Sequence, residues 1–388
     1  MERASDRRYR QARDVPGSPA DRLYGPARRL RLYPQNMHSG SGKRGRLAPG
    51  ELAVLKQIRA RAAQFSHGGL RLGIGDDCAL LRVGRGEELA VTTDLSIAGR
   101  HFLLEWQTPE SIGHRTLARG LSDLAAMGAR PVAAFLSLGV PADLVQNAKG
   151  REPWPSKKPW IVRFLDGFFA LADAFQTPLA GGDLAESPLV VADVVLVGAV
   201  RRGKALLRSG ARPGDLLYVT GTLGGSAAGL TRLAKLADGD RKLQSGPPRI
   251  PAKLQSLLAP HLYPQPRIAQ GLWLARRGVA TAAIDLSDGF STDLAHMCEE
   301  SHVSAEVNAA ALPVSSGATL EQALHGGEDY ELLFTASPDA RVPRRIPGIP
   351  VTCVGRILRA RKGRPQITLV TAEGTQSLAP QGWEHFPH

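Results

Sequence analysis

What this 388-residue chain lacks narrows its chemistry before any motif is read. Its three cysteines, Cys78, Cys298 and Cys353, are odd in number and widely spaced. They form neither a disulfide framework nor a zinc-binding spacing, which suits a reducing compartment and a cytoplasmic location. No window reaches the ~18 consecutive apolar residues of a membrane-spanning helix, so no membrane is expected as a partner. A Gly-Lys-Ser/Thr step is absent, and with it the P-loop. The Gly-x-Ser-x-Gly elbow and any activated-cysteine signature are missing too, which removes the usual covalent nucleophiles. No internal repeat is visible.

Charge is present in excess of one sign. The net charge is +13, which raises the question of nucleic acid. Residues 1–50 hold 12 Lys and Arg against 4 Asp and Glu, so eight of the thirteen excess charges lie there. That stretch is rich in Gly, Pro and Ser, poor in periodic apolar residues, and reads as a disordered extension over 1–46. Asp6, Asp14 and Asp21 are atypical of a transit peptide, and translation starting at Met37 is a plainer account. The whole chain, at 43% hydrophobic, has the composition of a globular protein with ample core.

The chain is organised around Leu72-Gly73-Ile74-Gly75-Asp76-Asp77-Cys78. Adjacent carboxylates at a turn repel each other, and a divalent cation relieves that repulsion. Taken alone, the pair reads equally as a solvated turn. Similar acids recur after apolar runs, however: Thr92-Thr93-Asp94, Gly181-Gly182-Asp183 and Asp285-Leu286-Ser287-Asp288, with Ser122-Asp123 inside an apolar helix pattern. Many carboxylates with few histidines suit a hard, oxygen-liking cation, Mg²⁺ before Zn²⁺, with Thr92, Thr93 and Ser287 adding hydroxyls. Acids of this kind at several element ends build a site for Mg²⁺ and phosphate. Phosphoryl transfer needs positioning and charge neutralisation rather than a nucleophilic side chain.

Periodicity predicts helices over 51–65, 108–127, 161–175, 267–277 and 290–301, and strands over 89–93, 133–140, 189–200, 216–220, 332–335 and 351–357. Thr108-Pro109-Glu110 is a helix start, Leu117, Leu121 and Leu124 its buried stripe, and Gly128 its stop. Asp123 falls off that stripe. Residues 141–160, with four prolines, read as a loop insertion, and 238–252 as a polar loop. The glycine-rich turn over 221–229 could hold phosphate on its amides, but close backbone packing is the better reading. His101 reads first as a residue of an exposed loop. The mixture of strands and helices in each half predicts two α+β domains, 47–201 and 202–388, after the extension.

These motifs occur in the order found in the thiamine-monophosphate kinase family, which the chain resembles over about 47–388. The carriers are Gly73-Ile74-Gly75-Asp76-Asp77, Thr92-Thr93-Asp94, Leu121-Ser122-Asp123-Leu124-Ala125-Ala126-Met127-Gly128, Gly181-Gly182-Asp183, Ile284-Asp285-Leu286-Ser287-Asp288-Gly289 and Gly326-Gly327-Glu328-Asp329-Tyr330-Glu331. The resemblance implies the aminoimidazole ribotide synthetase-like fold, with N- and C-terminal α+β domains and a homodimer. It implies transfer of the γ-phosphoryl of ATP to thiamine monophosphate with several Mg²⁺ ions. By motif it makes Asp77, Thr92, Thr93, Asp94, Asp123, Asp183, Asp285 and Asp288 metal ligands, with Asp94, Asp123 and Asp288 central to catalysis. Gly182, Asp183, Arg208 and Ser287 would touch ATP, and His101, Glu328 and Trp383 the thiamine phosphate. An indole face such as Trp383 can stack on the cationic thiazolium. The chain departs from the family at Leu184-Ala185-Glu186-Ser187, where hydroxyls and a base are usual.

Two other readings compete: a different ATP-dependent synthetase of the same superfamily, and a basic nucleic-acid-binding protein on a degenerate enzyme fold. Removing residues 1–46 separates the last from the kinase. A kinase keeps its turnover, whereas a nucleic-acid binder loses most of its salt-dependent affinity.

Overall fold

The computed structural model describes residues 51–64, 69–72, 74, 79–145, 158–239, 250–363 and 366–382. Asp77, Trp383, the extension and most of the 141–160 insertion lie outside the described residues. In chain order the elements are α1 (Glu51–Ala62), β1 (Leu70–Leu72), β2 (Leu80–Leu81), β3 (Glu87–Ile97), α2 (Pro109–Ala126), β4 (Arg130–Val140), α3 (Ala142–Val145), α4 (Trp160–Ala174), β5 (Leu179–Glu186) and β6 (Val191–Arg201). There follow β7 (Leu216–Thr220), α5 (Gly225–Gly239), α6 (Ala252–Leu262), α7 (Ile268–Arg277), β8 (Ala282–Asp285), α8 (Phe290–Glu300), β9 (Val303–Asn308), α9 (Leu320–His325), β10 (Leu332–Ala336), β11 (Arg345–Ile346), β12 (Ile349–Arg359), β13 (Ile367–Thr371) and β14 (Gly374–Ser377). Among the described residues, no helix is long and apolar enough to cross a membrane.

Two mixed sheets carry the fold. The first half forms a four-stranded sheet ordered β3-β6-β4-β5, antiparallel except for β4 against β5. The second half forms an eight-stranded sheet along β14-β13-β9-β12-β7-β10-β8, with β11 on β12. Periodicity located most of these elements. It did not anticipate α6, β9 or the β13–β14 hairpin, which replaces the expected tail after 357. It also ended β3 too early. The strand continues through polar residues to Ile97, so Asp94 lies inside it, and Asp183 likewise lies inside β5.

Helix α2 is the central element. Thr108 caps it, its hydroxyl accepting the Ser111 amide at 3.2 Å, and Gly128 at φ +63° ends it. Leu117, Leu121 and Leu124 are at most 1% exposed, as their spacing predicted. They belong to an apolar cluster that also takes in Leu196 of β6, Leu274 of α7, and Ala283, Leu332 and Phe334 of the second sheet. A separate cluster around Phe290, Leu294, Leu333 and Ile357 fills the second sheet's own helix-covered face.

Glycines let α2 approach its neighbours at backbone distance. A Cβ on Gly167 of α4 would lie 1.9 Å from the Glu110 carbonyl oxygen, and one on Gly271 of α7 would lie 1.9 Å from that of Ala125. Both positions must be side-chain-free for the helices to stay where they are. Gly167→Ala is therefore expected to destabilise the fold by about 1–3 kcal/mol. Urea unfolding measures this, and an unchanged midpoint would mean that α2 and α4 can separate without loss.

Candidate active site

The strand β3 is polar on the side that faces α2. Ala90, Thr92, Asp94 and Ser96 are half-buried or buried, whereas Leu89, Val91, Thr93 and Leu95 point out and are exposed. Strand alternation thus separates the neighbours Thr92 and Thr93. The Thr92 hydroxyl donates to Asp123 of α2. Thr93 turns the other way and donates to Asp193 of β6 at 2.8 Å. Its side chain thus lies on the opposite side of the sheet from Thr92, beside Asp193.

Three carboxylates from three elements converge at α2: Asp94 (β3), Asp123 (α2 itself) and Asp285 (the end of β8). Asp285 is 2% exposed and accepts the Ser122 hydroxyl at 2.7 Å. Burial, then the charge of Asp123, pushes its carboxyl up to about 7. Burial likewise pushes Asp94 up to about 6, against the pull of Arg119, whose Nε is 3.5 Å from Asp94 Oδ1. Asp123 is raised too, by burial, against the Thr92 hydrogen bond, Arg208 and Arg119. Arg208 is exposed, but its charge reaches both Asp123 and Asp285.

Asp288 follows in the turn between β8 and α8, and its charge bears on Asp123. That turn is shaped by Asp293, which sequence reasoning missed. Its Oδ2 accepts the amides of Ser287, Asp288 and Gly289 at 3.0 to 3.1 Å. An acid inside the first turn of a helix was its available signal. Asp183 stands apart from this convergence. It is exposed on β5, with its Oδ1 accepting the Leu184 amide, and Gly182 before it has φ +146°. A Cβ there would lie 1.9 Å from the Leu136 carbonyl oxygen, so glycine is required for β5 to sit on β4.

Glu328 lies on the loop after α9, tied to the same turn by its amide, which donates to the Ser287 carbonyl at 2.8 Å. Glu328 and Tyr330 both have positive φ, at +65° and +50°. Between them, Asp329 accepts the amides of Gly224 and Ser226 at 2.6 and 3.1 Å. The glycine-rich turn therefore gives its amides to a carboxylate of the protein itself, so the phosphate reading of that turn falls. It anchors the strained loop instead.

Arg115, one of the residues missed, gathers the substrate-assigned residues. Its Nη2 donates to Glu328 Oε1 at 2.5 Å and, at 3.4 Å, to the carbonyl oxygen of His101; its Nη1 donates to His261 Nε2 at 2.7 Å. His101 Nδ1 accepts the Ile97 amide, so this histidine is fixed in its loop rather than waving in solvent. Burial would raise Glu328, but the guanidinium of Arg115, then that of Arg119, overcomes it and holds its carboxyl at about 2. Burial, then Arg115, lowers His261 to about 3, so the ring is neutral and its 3.8 Å approach to Glu328 is not an ion pair. A ring nitrogen that accepts from Arg115 must be unprotonated, which leaves Nδ1–H to donate to Ser226 Oγ at 3.1 Å.

Both shifts make the fold acid-sensitive. A histidine held neutral in the folded chain contributes stability that is complete above pH ~6.5 and is lost as the pH falls towards the folded value. Glu328, with a lowered value, adds a further loss below pH ~4.5. Measured against His261→Gln, wild type should lose stability by up to ~1.4 kcal/mol per pH unit between about pH 6.5 and 5, whatever the opposite trend of the raised carboxyls of Asp94 and Asp285, which both proteins share. Urea midpoints measured across that range check it, and parallel curves for the two proteins would refute it.

Residues 75–200 match the family model described as AIR synthase related protein, N-terminal domain, and 212–345 the model described as AIR synthase related protein, C-terminal domain. The thiamine-monophosphate kinase of Salmonella typhimurium is 38% identical over 354 residues, covering 88% of this chain and 99% of that one. The crystal structure of thiamine-monophosphate kinase from Stenotrophomonas maltophilia K279a has a TM-score of 0.66 at 37% identity, over 83% of this chain and 97% of that chain. A second solved structure, AaThiL complexed with AMPPCP and TMP, has a TM-score of 0.63 at 29% identity, over 87% and 97%. With two α+β domains of this type and relatives matched over nearly their whole length, the chain belongs to the thiamine-monophosphate kinase family.

Proposed function

We propose that this chain transfers the γ-phosphoryl group of ATP to the phosphate of thiamine monophosphate, giving thiamine diphosphate, with Mg²⁺ as the metal. The observation that carries the reading is the convergence of Asp94, Asp123 and Asp285 on one half-buried patch, beside Glu328 and His101. Carboxylates so placed resist ionisation together, and a hard divalent cation with oxygen ligands fits that donor set. Asp94, Asp123, Asp285 and Asp288 would hold the metal with the Thr92 hydroxyl, and Asp77, Thr93 and Asp183 complete the proposed set. When bound, Mg²⁺ neutralises the charge that develops on the phosphoryl group in transfer.

The remaining roles fall to the chain's own groups. Arg208 presents a guanidinium on the side of Asp123 and Asp285, and we assign it with Gly182, Asp183 and Ser287 to ATP. Glu328, kept ionised by Arg115, faces a cationic thiazolium with His101, and Trp383 is assigned to the same substrate. No residue has to remove a proton, because the acceptor phosphate oxygen is already ionised near neutral pH. The exposed apolar stripe of Leu89, Val91 and Leu95 on β3 supports a homodimer through that sheet face, and sparse cysteines, with Cys298 and Cys353 unpaired among the described residues, suit the cytoplasm. Nucleic acid is not proposed as a partner.

Formation of thiamine diphosphate from thiamine monophosphate, ATP and Mg²⁺, compared between wild type and Asp123→Asn, tests this reading. Wild type should turn over, and the variant should lose on the order of 10²–10³-fold or more. Equal product from both would leave the kinase standing and remove Asp123 from the metal site. Folded wild type that makes no product would point to another substrate of the superfamily.

A further inference from the structure

One face of α2 carries Arg115, Arg119 and Asp123, four residues apart and therefore in a row along the helix. The two ends of the row are committed. Asp123 takes the Thr92 hydroxyl at the carboxylate end. Arg115 spends Nη2 on Glu328 and the His101 carbonyl, and Nη1 on His261, at the other end. Arg119 stands between them and is held only at arm's length. Its Nε is 3.5 Å from Asp94 Oδ1, and its Nη1 is 3.5 Å from Ser96 Oγ. Its side chain is 18% exposed and borders a small cavity, between β3 and α2, that is also lined by Ser96, His101 and Arg115. Acidic groups of other elements surround it: besides Asp94, it feels the charges of Glu328 and Asp288 and the phenol of Tyr330.

We propose that Arg119 is a binding residue for the substrate's own phosphate, the phosphoryl acceptor. This rests on the function proposed above. If the thiamine ring lies at His101 and Glu328, and the transferred group at Asp123 and Asp285, the phosphate joining them must span the interval that Arg119 occupies. A guanidinium offers a planar fork of five N–H donors that matches a phosphate monoester, and two 3.5 Å contacts occupy little of it. The neighbouring guanidinium of Arg115 cannot serve without releasing Glu328. Arg208 is exposed and is assigned above to ATP. Arg119 thereby gives the site a reason to prefer a phosphorylated thiamine over thiamine itself.

The test is calorimetric binding of two ligands, thiamine monophosphate and thiamine, to Mg²⁺-loaded wild type and R119Q. Loss of a charged hydrogen-bond partner should weaken thiamine monophosphate by about 10- to 100-fold while leaving thiamine within about twofold. Arg119→Lys, which keeps the charge but not the fork, should recover part of the loss. An equal drop for both ligands assigns Arg119 a merely structural role, and no drop for either removes it from the site; each outcome overturns the proposal. If R119Q does not fold, the same comparison is read on R119K, where weakening confined to the phosphorylated ligand supports the proposal and any other pattern overturns it. Turnover of wild type in the same preparation separates the two readings: without it the kinase assignment fails, whereas with it only the Arg119 assignment is at stake.

Discussion

Like charge gathered in a poorly solvated space is what the rest of this structure must accommodate. Asp94, Asp123 and Asp285 come from a strand, a helix and the end of a second strand, and burial pushes all three towards their protonated forms. Left alone, such a group would be relieved by separating the elements. Separation is blocked because the same elements share an apolar core around Leu117, Leu121 and Leu124, which continues into both sheets. The charges are offset locally instead, by Arg119, Arg208 and the hydroxyls of Thr92 and Ser122. The packing that forces the acids together is thus what suits them to the cation proposed for them.

That packing depends on unusually close approach. Glycine at 167 and 271 brings α4 and α7 to the backbone of α2, and glycine at 182 seats β5 on β4. With α2 held this tightly, the pitch of the helix sets the spacing of Arg115, Arg119 and Asp123 to one turn each, about 6 Å. A row of two guanidinium groups followed by a carboxylate lies along the path proposed for a cationic ring, its phosphate and a nucleotide. Positions of this kind on a helix locate charge more accurately than a loop could.

The second half contributes mainly through two turns that brace each other. Asp293 gathers three amides of the Ser287–Gly289 turn, and the 326–331 loop hydrogen-bonds back onto Leu286 and Ser287. Two residues with positive φ, Glu328 and Tyr330, are held in that loop because Asp329 is bound to the start of α5. The strain is sustained by these contacts, and it delivers the Glu328 carboxylate to Arg115 on the opposite half.

Local chemistry written in adjacent residues was legible in the chain. The Thr108 cap, the buried stripe of α2, the strand at 216–220 and the acids around 285–288 follow from spacing, and the ordered motifs identify the family. What spacing could not carry is pairing between distant residues. Alternation says that Thr92 and Thr93 face opposite sides of β3, but only the position of α2 decides that Thr92 meets Asp123. The glycine-rich turn at 221–229 looks free to bind phosphate until Asp329, about a hundred residues later, is found on its amides. Arg115, Arg119 and His261 look like ordinary helix residues, because a charge becomes a device only through the partner that the fold brings to it. The sequence by itself determined the elements and the ligand types. Tertiary structure decided which carboxylates share one dielectric environment, since Coulomb interaction depends on distance in space and on burial, and neither is a property of a linear order.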